Sequence, residues 1–188
     1  MNKFTIQEMS SEDRKLINNW NLEFSGKPEF ESIERFILEN GLLTNLDEVI
    51  MTNHDLLSLD YREIKKAFSI YDNKTNIIGF LLCFAYEIGD YSSELYLQYI
   101  VLNPNYQKQG LGTNILKEFF INQKQYLGFE PENICAVVNR VNFSSLNLFK
   151  KFGFTFKRKS RSYLWAENDL FSIKNLINTC EQEKIWKK

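Results

Sequence analysis

Histidine and cysteine are scarce in this chain, and a long apolar run is missing. One histidine, His54, stands among 188 residues, and the three cysteines, Cys83, Cys135 and Cys180, have no metal-ligand spacing. No metal site is expected from that stock. The odd count leaves Cys83 and Cys135, both within apolar strands, as buried thiols. The longest apolar stretch, 77–86, is interrupted by Gly79 and is too short to cross a bilayer. The first residues, MNKFTIQEMSSEDRK, hold no apolar h-region, so no signal peptide is expected. No repeat, low-complexity tract or linker divides the sequence, which predicts one domain. What remains is 44% hydrophobic and 25% charged, an ordinary globular composition. The expectation is a cytoplasmic, reduced, metal-free protein with no membrane or nucleic-acid partner.

Charge is nearly balanced but unevenly placed. Residues 1–60 carry twelve Asp/Glu and five Lys/Arg, a balance of −7, which leaves +6 for the rest of a chain of net charge −1. The basic remainder includes Lys108, Lys150, Lys151, Lys157, Arg158, Lys159 and Arg161. Such a division suits an anionic ligand at one pole and a cationic one at the other. Charged surface helices alone would also produce it.

Period and punctuation predict the elements. Phe4 to Gln7 alternates as a strand. Ser10 or Ser11 caps a helix with Leu16, Ile17, Trp20 and Phe24 on one side. Gly26-Lys27-Pro28 breaks it, and a second helix buries Phe30, Ile33 and Ile37 before Asn40-Gly41. Residues 42–60, which include His54, have no clear period. Ala67 to Asp72 and Asn76 to Glu87 read as a hairpin across Asn73-Lys74-Thr75, with the strand from Leu95 as a third antiparallel member. Ile134 to Val138 is a further strand, parallel to its predecessor because a helix intervenes. Phe154 to Trp165 forms a last strand or hairpin. Leu170, Ile173, Leu176, Ile177 and Cys180 then mark a C-terminal helix.

The most informative stretch is the strand Leu95 to Leu102, the turn Asn103-Pro104, and the loop Gln107-Lys108-Gln109-Gly110-Leu111-Gly112. A helix follows with Leu111, Ile115, Leu116, Phe119 and Phe120 on one stripe. A strand, a glycine loop and a helix start together make an anion site, since backbone N–H groups are free there and the helix dipole is positive. No Gly-Lys-Ser/Thr follows the second glycine, so the loop is not a nucleotide P-loop. Ile115 stands where a dinucleotide fingerprint needs its third glycine.

The loop instead resembles the Gln/Arg-x-x-Gly-x-Gly/Ala segment of the GNAT family of acetyl-CoA-dependent N-acetyltransferases. A second block, ICAVVNRVNFSSLNLFKKFGF from Ile134 to Phe154, is similar to the family's next unit: strand, Asn142, a helix with Leu146, Phe149 and Phe152, and a closing Gly-Phe. Asn142 is equally a helix N-cap by residue type. The resemblance implies an α/β fold, a mixed, mostly antiparallel sheet of six or seven strands flanked by helices, opening between the fourth and fifth strands. It divides a single domain into acceptor-side helices (1–66), an acetyl-CoA core (67–165) and a helical extension (166–188). That extension is a departure from the family, expected to pack over the sheet or across a homodimer.

The implied site follows residue by residue. Ile100, Val101 and Leu102 would pair with pantetheine. Gln107, Lys108, Gln109, Gly110, Leu111, Gly112 and Thr113 would hold the pyrophosphate, with Asn142, Ser145 and Phe149 also at the cofactor. Phe149 stands where many relatives keep a Tyr as acid for the thiolate, and it has no proton to give. Tyr96 stands where some relatives keep a Glu base, with Gln98 two residues along and Glu94 the nearest carboxylate; a tyrosine with a reference pKa of about 10 is a poor base. Ser145 and Tyr163 are further proton-handling candidates. The implied function is acetyl transfer from acetyl-CoA to a primary amine of a small cationic molecule, polyamine or aminoglycoside-like. A protein amine (a ribosomal N-terminus or a lysine) and a non-catalytic acyl-CoA-binding sensor are the alternatives.

Overall fold

The structure, a computed structural model, describes residues 4–18, 61–88, 92–161 and 163–186. The expected helix after Pro28, the segment 42–60 and His54 lie outside the described residues.

Among the described residues seven strands form one sheet in the order β1-β2-β3-β4-β5-β7-β6. β1 (Phe4–Glu8), β2 (Tyr61–Asp72), β3 (Ile77–Ile88) and β4 (Ser92–Leu102) are antiparallel neighbours. β5 (Asn133–Asn139) runs parallel to β4, as a helical crossover requires. β5 then pairs antiparallel with β7 (Tyr163–Asp169), and β6 (Thr155–Arg158) closes the edge as the partner of β7 in a hairpin. The fold class is thus the expected mixed, mostly antiparallel α/β sheet. The β2–β3 pair runs six residues further back on β2 than the sequence pattern marks, and β4 starts at Ser92 rather than Leu95. Strand pairing extends these ends beyond their apolar signal.

Local chemistry explains the joints. The Asp72 carboxylate accepts from the amides of Lys74 (2.8 Å) and Asn76 (2.9 Å), which shapes the β2–β3 turn. Helix α1 (Ser11–Asn18) opens with a capping box: Ser10 Oγ accepts from the Asp13 amide, and the Asp13 carboxylate accepts from the Ser10 amide. The cap is therefore Ser10, not Ser11. Asp13 also accepts from Ser69 Oγ (2.9 Å) and Tyr71 Oη (2.7 Å), tying α1 to β2. Burial alone would raise this carboxyl, but the Tyr71 hydroxyl, the Ser10 amide and the Ser69 hydroxyl outweigh it and hold it below its ordinary range.

Helix α2 (Leu111–Ile121) buries Ile115, Leu116, Phe119 and Phe120 against the sheet, as its period predicts. A short helix, α3 (Gln123–Leu127), follows; it has too few residues for a period to mark it. Helix α4 (Phe143–Lys150) buries Leu146 and Phe149, and Gly153 beyond it has φ 74. The C-terminal helix α5 (Leu170–Trp186) buries Leu170, Ile173 and Ile177 in the same core as α2. Leu176 and Cys180, expected in its buried stripe, are exposed. The extension packs on this chain's own sheet, with Lys117 of α2 paired to Glu181. A smaller cluster on α1 and the strands joins Met9, Ile17, Phe80, Leu82 and Val101. Among the described residues no helix is long and apolar enough to cross a membrane.

Candidate functional site: an opening between two strands

The site begins where the sheet fails. β4 and β5 pair from Glu94↔Asn133 to Leu97↔Ala136 and no further. At the same point β4 bulges against β3: Leu82 faces Tyr99 and Cys83 faces Leu97, so Gln98 has no opposite residue. Beyond Leu97 the two strands enclose a cavity of about 110 Å³. Its walls are residues 97–101 of β4, 136–139 of β5, Asn142, Ser145 and Phe149 at α4, and Tyr163 of β7. None of these carries a charge.

Three amide side chains stand at this cavity. Asn139 Oδ1 accepts from the Val141 amide at 3.1 Å, and Asn142 Oδ1 accepts from the Ser145 amide at 3.0 Å. Asn142 is thus the N-cap of α4. Gln98 differs, since its Oε1 is buried with no hydrogen-bond partner among the described residues. A buried, unpaired carbonyl oxygen costs on the order of 1–3 kcal/mol, which marks it as a place for a ligand donor.

At the far end of β4 the loop is tied down by side chains. Tyr106 Oη donates to Asp72 (3.2 Å), Gln107 Nε2 to the Leu102 carbonyl (2.9 Å), and Gln109 Nε2 to the Asn105 carbonyl (3.1 Å). The two glutamines therefore shape the loop through their side chains, and the Gln107 amide donates to the Pro104 carbonyl at 3.2 Å. Lys108 (φ 59) and Gly110 (φ 76) are both left-handed, and Gly110 is the N-cap of α2 with no side chain to fill that role. The first-turn amides of α2 have no partner within the helix. Lys151 reaches this turn from α4, its Nζ 3.4 Å from Thr113 Oγ1. An added Cβ at Gly112 would meet nothing nearer than Leu148 Cδ2 at 3.7 Å. At Gly110 an added Cβ would meet nothing within 4 Å, so the open side of the loop lies there, and loop and cavity fit a phosphate-bearing thioester.

The structure brings Gln98, Ile100, Val101, Asn142, Ser145 and Phe149 to one cavity, with Leu102 leading to the loop. Tyr96 lies elsewhere on the sheet: its ring stacks 6.3 Å from Trp165 and 6.2 Å from Phe84. Burial pushes its hydroxyl up to about 12, so it stays protonated near neutrality. Glu94 is exposed at the start of the pairing. Asn139 and residues 136–138, which the sequence reading did not single out, join the cavity because β5 lies parallel to β4. Among the described residues no cluster of three His, Cys, Asp or Glu could hold a metal.

Residues 65–156 match the family described as Acetyltransferase (GNAT) domain. The matched stretch, just under half of the chain, spans the glycine loop and the cavity walls on β4, β5 and α4. No curated protein matches it. Among solved structures, the PaiA N-acetyltransferase of Thermoplasma acidophilum in complex with coenzyme A is similar at 20% identity and TM-score 0.60, over 90% of this chain and 99% of that one. A chimera of the Vibrio cholerae spermidine N-acetyltransferase is similar at 16% identity and TM-score 0.60, over 93% and 99%. The Vibrio cholerae enzyme in complex with coenzyme A and spermine is similar at 15% and TM-score 0.57, over 91% and 98%. At these identities the likeness is one of fold.

Proposed function

We propose that this protein moves the acetyl group of acetyl-CoA to a primary amine of a small cationic molecule, of polyamine or aminoglycoside-like kind, by direct attack on the thioester carbonyl. The observation that carries the reading is one continuous path: the glycine loop and α2 start, the unpaired edge of β4, and the cavity at the bulge. The pyrophosphate lies on the amides of residues 108–113, the Gln107 amide being held by the Pro104 carbonyl, and pantetheine pairs with the backbone at Ile100, Val101 and Leu102. The thioester then ends near Gln98. The binding of spermine by a relative of the same fold supports an amine acceptor.

Among the described residues no charged group lines the cavity, and the Tyr96 hydroxyl stays protonated. Catalysis in this reading is by positioning, with water carrying the amine's proton to solvent. Thiol release from acetyl-CoA against spermidine, an aminoglycoside and an N-terminal peptide tests it. Turnover is expected with the small cations. Turnover on the peptide alone would move the acceptor to protein amines.

A second reading, a non-catalytic acyl-CoA-binding protein, is favoured by Phe149, which lines the cavity without a transferable proton. Coenzyme A binding without turnover on any amine would support it.

A further inference from the structure

We infer that Gln98 orients the acceptor: its side-chain carbonyl oxygen takes a hydrogen bond from an N–H of the nitrogen that is acetylated. The inference deepens the acetyl-transfer reading above and rests on it. Three observations converge on this residue. Gln98 is the extra residue of the β4 bulge, next to Leu97, the last residue that pairs with β5. Among the described residues its Oε1 is buried without a donor. The other two amide oxygens at the cavity, those of Asn139 and Asn142, already accept from backbone amides. Among the described residues Gln98 Oε1 is therefore the one side-chain amide oxygen of the cavity residues without a donor, and an N–H meets it once the side chain turns into the opening.

The pantetheine arm has less use for this oxygen. Past Leu97 the β4 edge offers its own backbone donors and acceptors, so an extended arm pairs without side chains. Gln98 sits at the closed end of that edge, where the thioester and the nitrogen meet. An amide oxygen is too weak a base to take the proton. What it supplies is direction: one N–H held on Oε1 turns the nitrogen lone pair toward the carbonyl.

The test uses Gln98→Leu, of similar size without the acceptor, and Gln98→Glu, of the same shape with an oxygen retained. The Leu variant is expected to lose at least fivefold in kcat/KM for the amine while its Kd for coenzyme A stays within twofold. Its Tm should equal or exceed that of the unaltered protein, because an unpaired buried carbonyl has been removed. The Glu variant keeps an acceptor oxygen whether its carboxyl is ionised or protonated, so it should keep kcat/KM within about threefold. Should the Leu variant not fold, Gln98→Met takes its place with the same expectations.

Unchanged kcat/KM in the Leu or Met variant overturns the inference. So does a loss matched by weaker coenzyme A binding, which would assign the oxygen to pantetheine, or a lowered Tm with an equal loss in the Glu variant, which would make Gln98 a packing residue. Absence of amine turnover in the unaltered protein overturns the functional reading itself and this inference with it.

Discussion

The Phe149 ring lies 5.0 Å from that of Phe154 at an interplanar angle of 59°. The α4 side chain that lines the cavity is thus also a core residue, only 4% exposed. Phe149→Tyr is expected to fold with a Tm within a few degrees and to raise turnover or leave it unchanged, since the hydroxyl adds a proton donor at the cavity. Phe149→Ala should cost about 3–5 kcal/mol in urea unfolding. A large fall in rate for the Tyr variant at unchanged stability would place the ring against the acyl group instead.

Gly112 separates ligand approach from packing. Its added Cβ would stand in ordinary contact with Leu148, 3.7 Å away. Gly112→Val should therefore fold with a modest change in Tm, yet bind coenzyme A at least tenfold more weakly by calorimetry, because the branched side chain screens the amides of the α2 start. Unchanged affinity would remove the phosphate from this loop. Gly110→Val is less clean, as φ 76 adds strain of about 1–2 kcal/mol to any effect on binding.

Asp13 makes stability depend on acid. Its folded pKa lies below the ordinary value of a free aspartate, so its contribution is fully present above that value and fades as pH falls through the folded one. Asp13→Asn should destabilise the protein by about 1–3 kcal/mol at neutral pH, where the bonds from Ser10, Ser69 and Tyr71 lose a charged acceptor. Urea midpoints at pH 7 and near pH 3 should show the gap between variant and parent narrowing at the lower pH. A gap independent of pH would mean that shape, rather than ionisation, sets the contribution.

The acceptor's charge is readable from salt. Of the twelve acids in residues 1–60, Glu8 already pairs with Lys66 and Asp13 is engaged at Ser69 and Tyr71. If the acids between Glu23 and Asp60 border the amine, KM for a dicationic amine should rise with ionic strength. A neutral amine and acetyl-CoA should respond less, since screening acts over about 8–10 Å at moderate salt. Equal slopes for the two amines would show that this acidity has no part in substrate choice.

The sequence by itself determined the elements whose signals are local. The stripe Ile115, Leu116, Phe119 and Phe120 repeats with the helix period and is buried as that period requires. Glycines 110 and 112 mark the loop, since few other residues suit its backbone or leave an anion room. The break between β4 and β5 was expected only through family resemblance, and the bulge at Gln98 has no local signature of its own. Residues 95–102 are apolar at every place but that one, so the shift of facing from Leu97 to Ile100 leaves no mark in the alternation. Tertiary structure alone decided that Asn139 joins the cavity, that Tyr96 lies among aromatic rings instead, and that Asp13 fastens α1 to a strand 56 residues onward. Each of these depends on which strands become neighbours, and that is set by burial summed over the whole sheet.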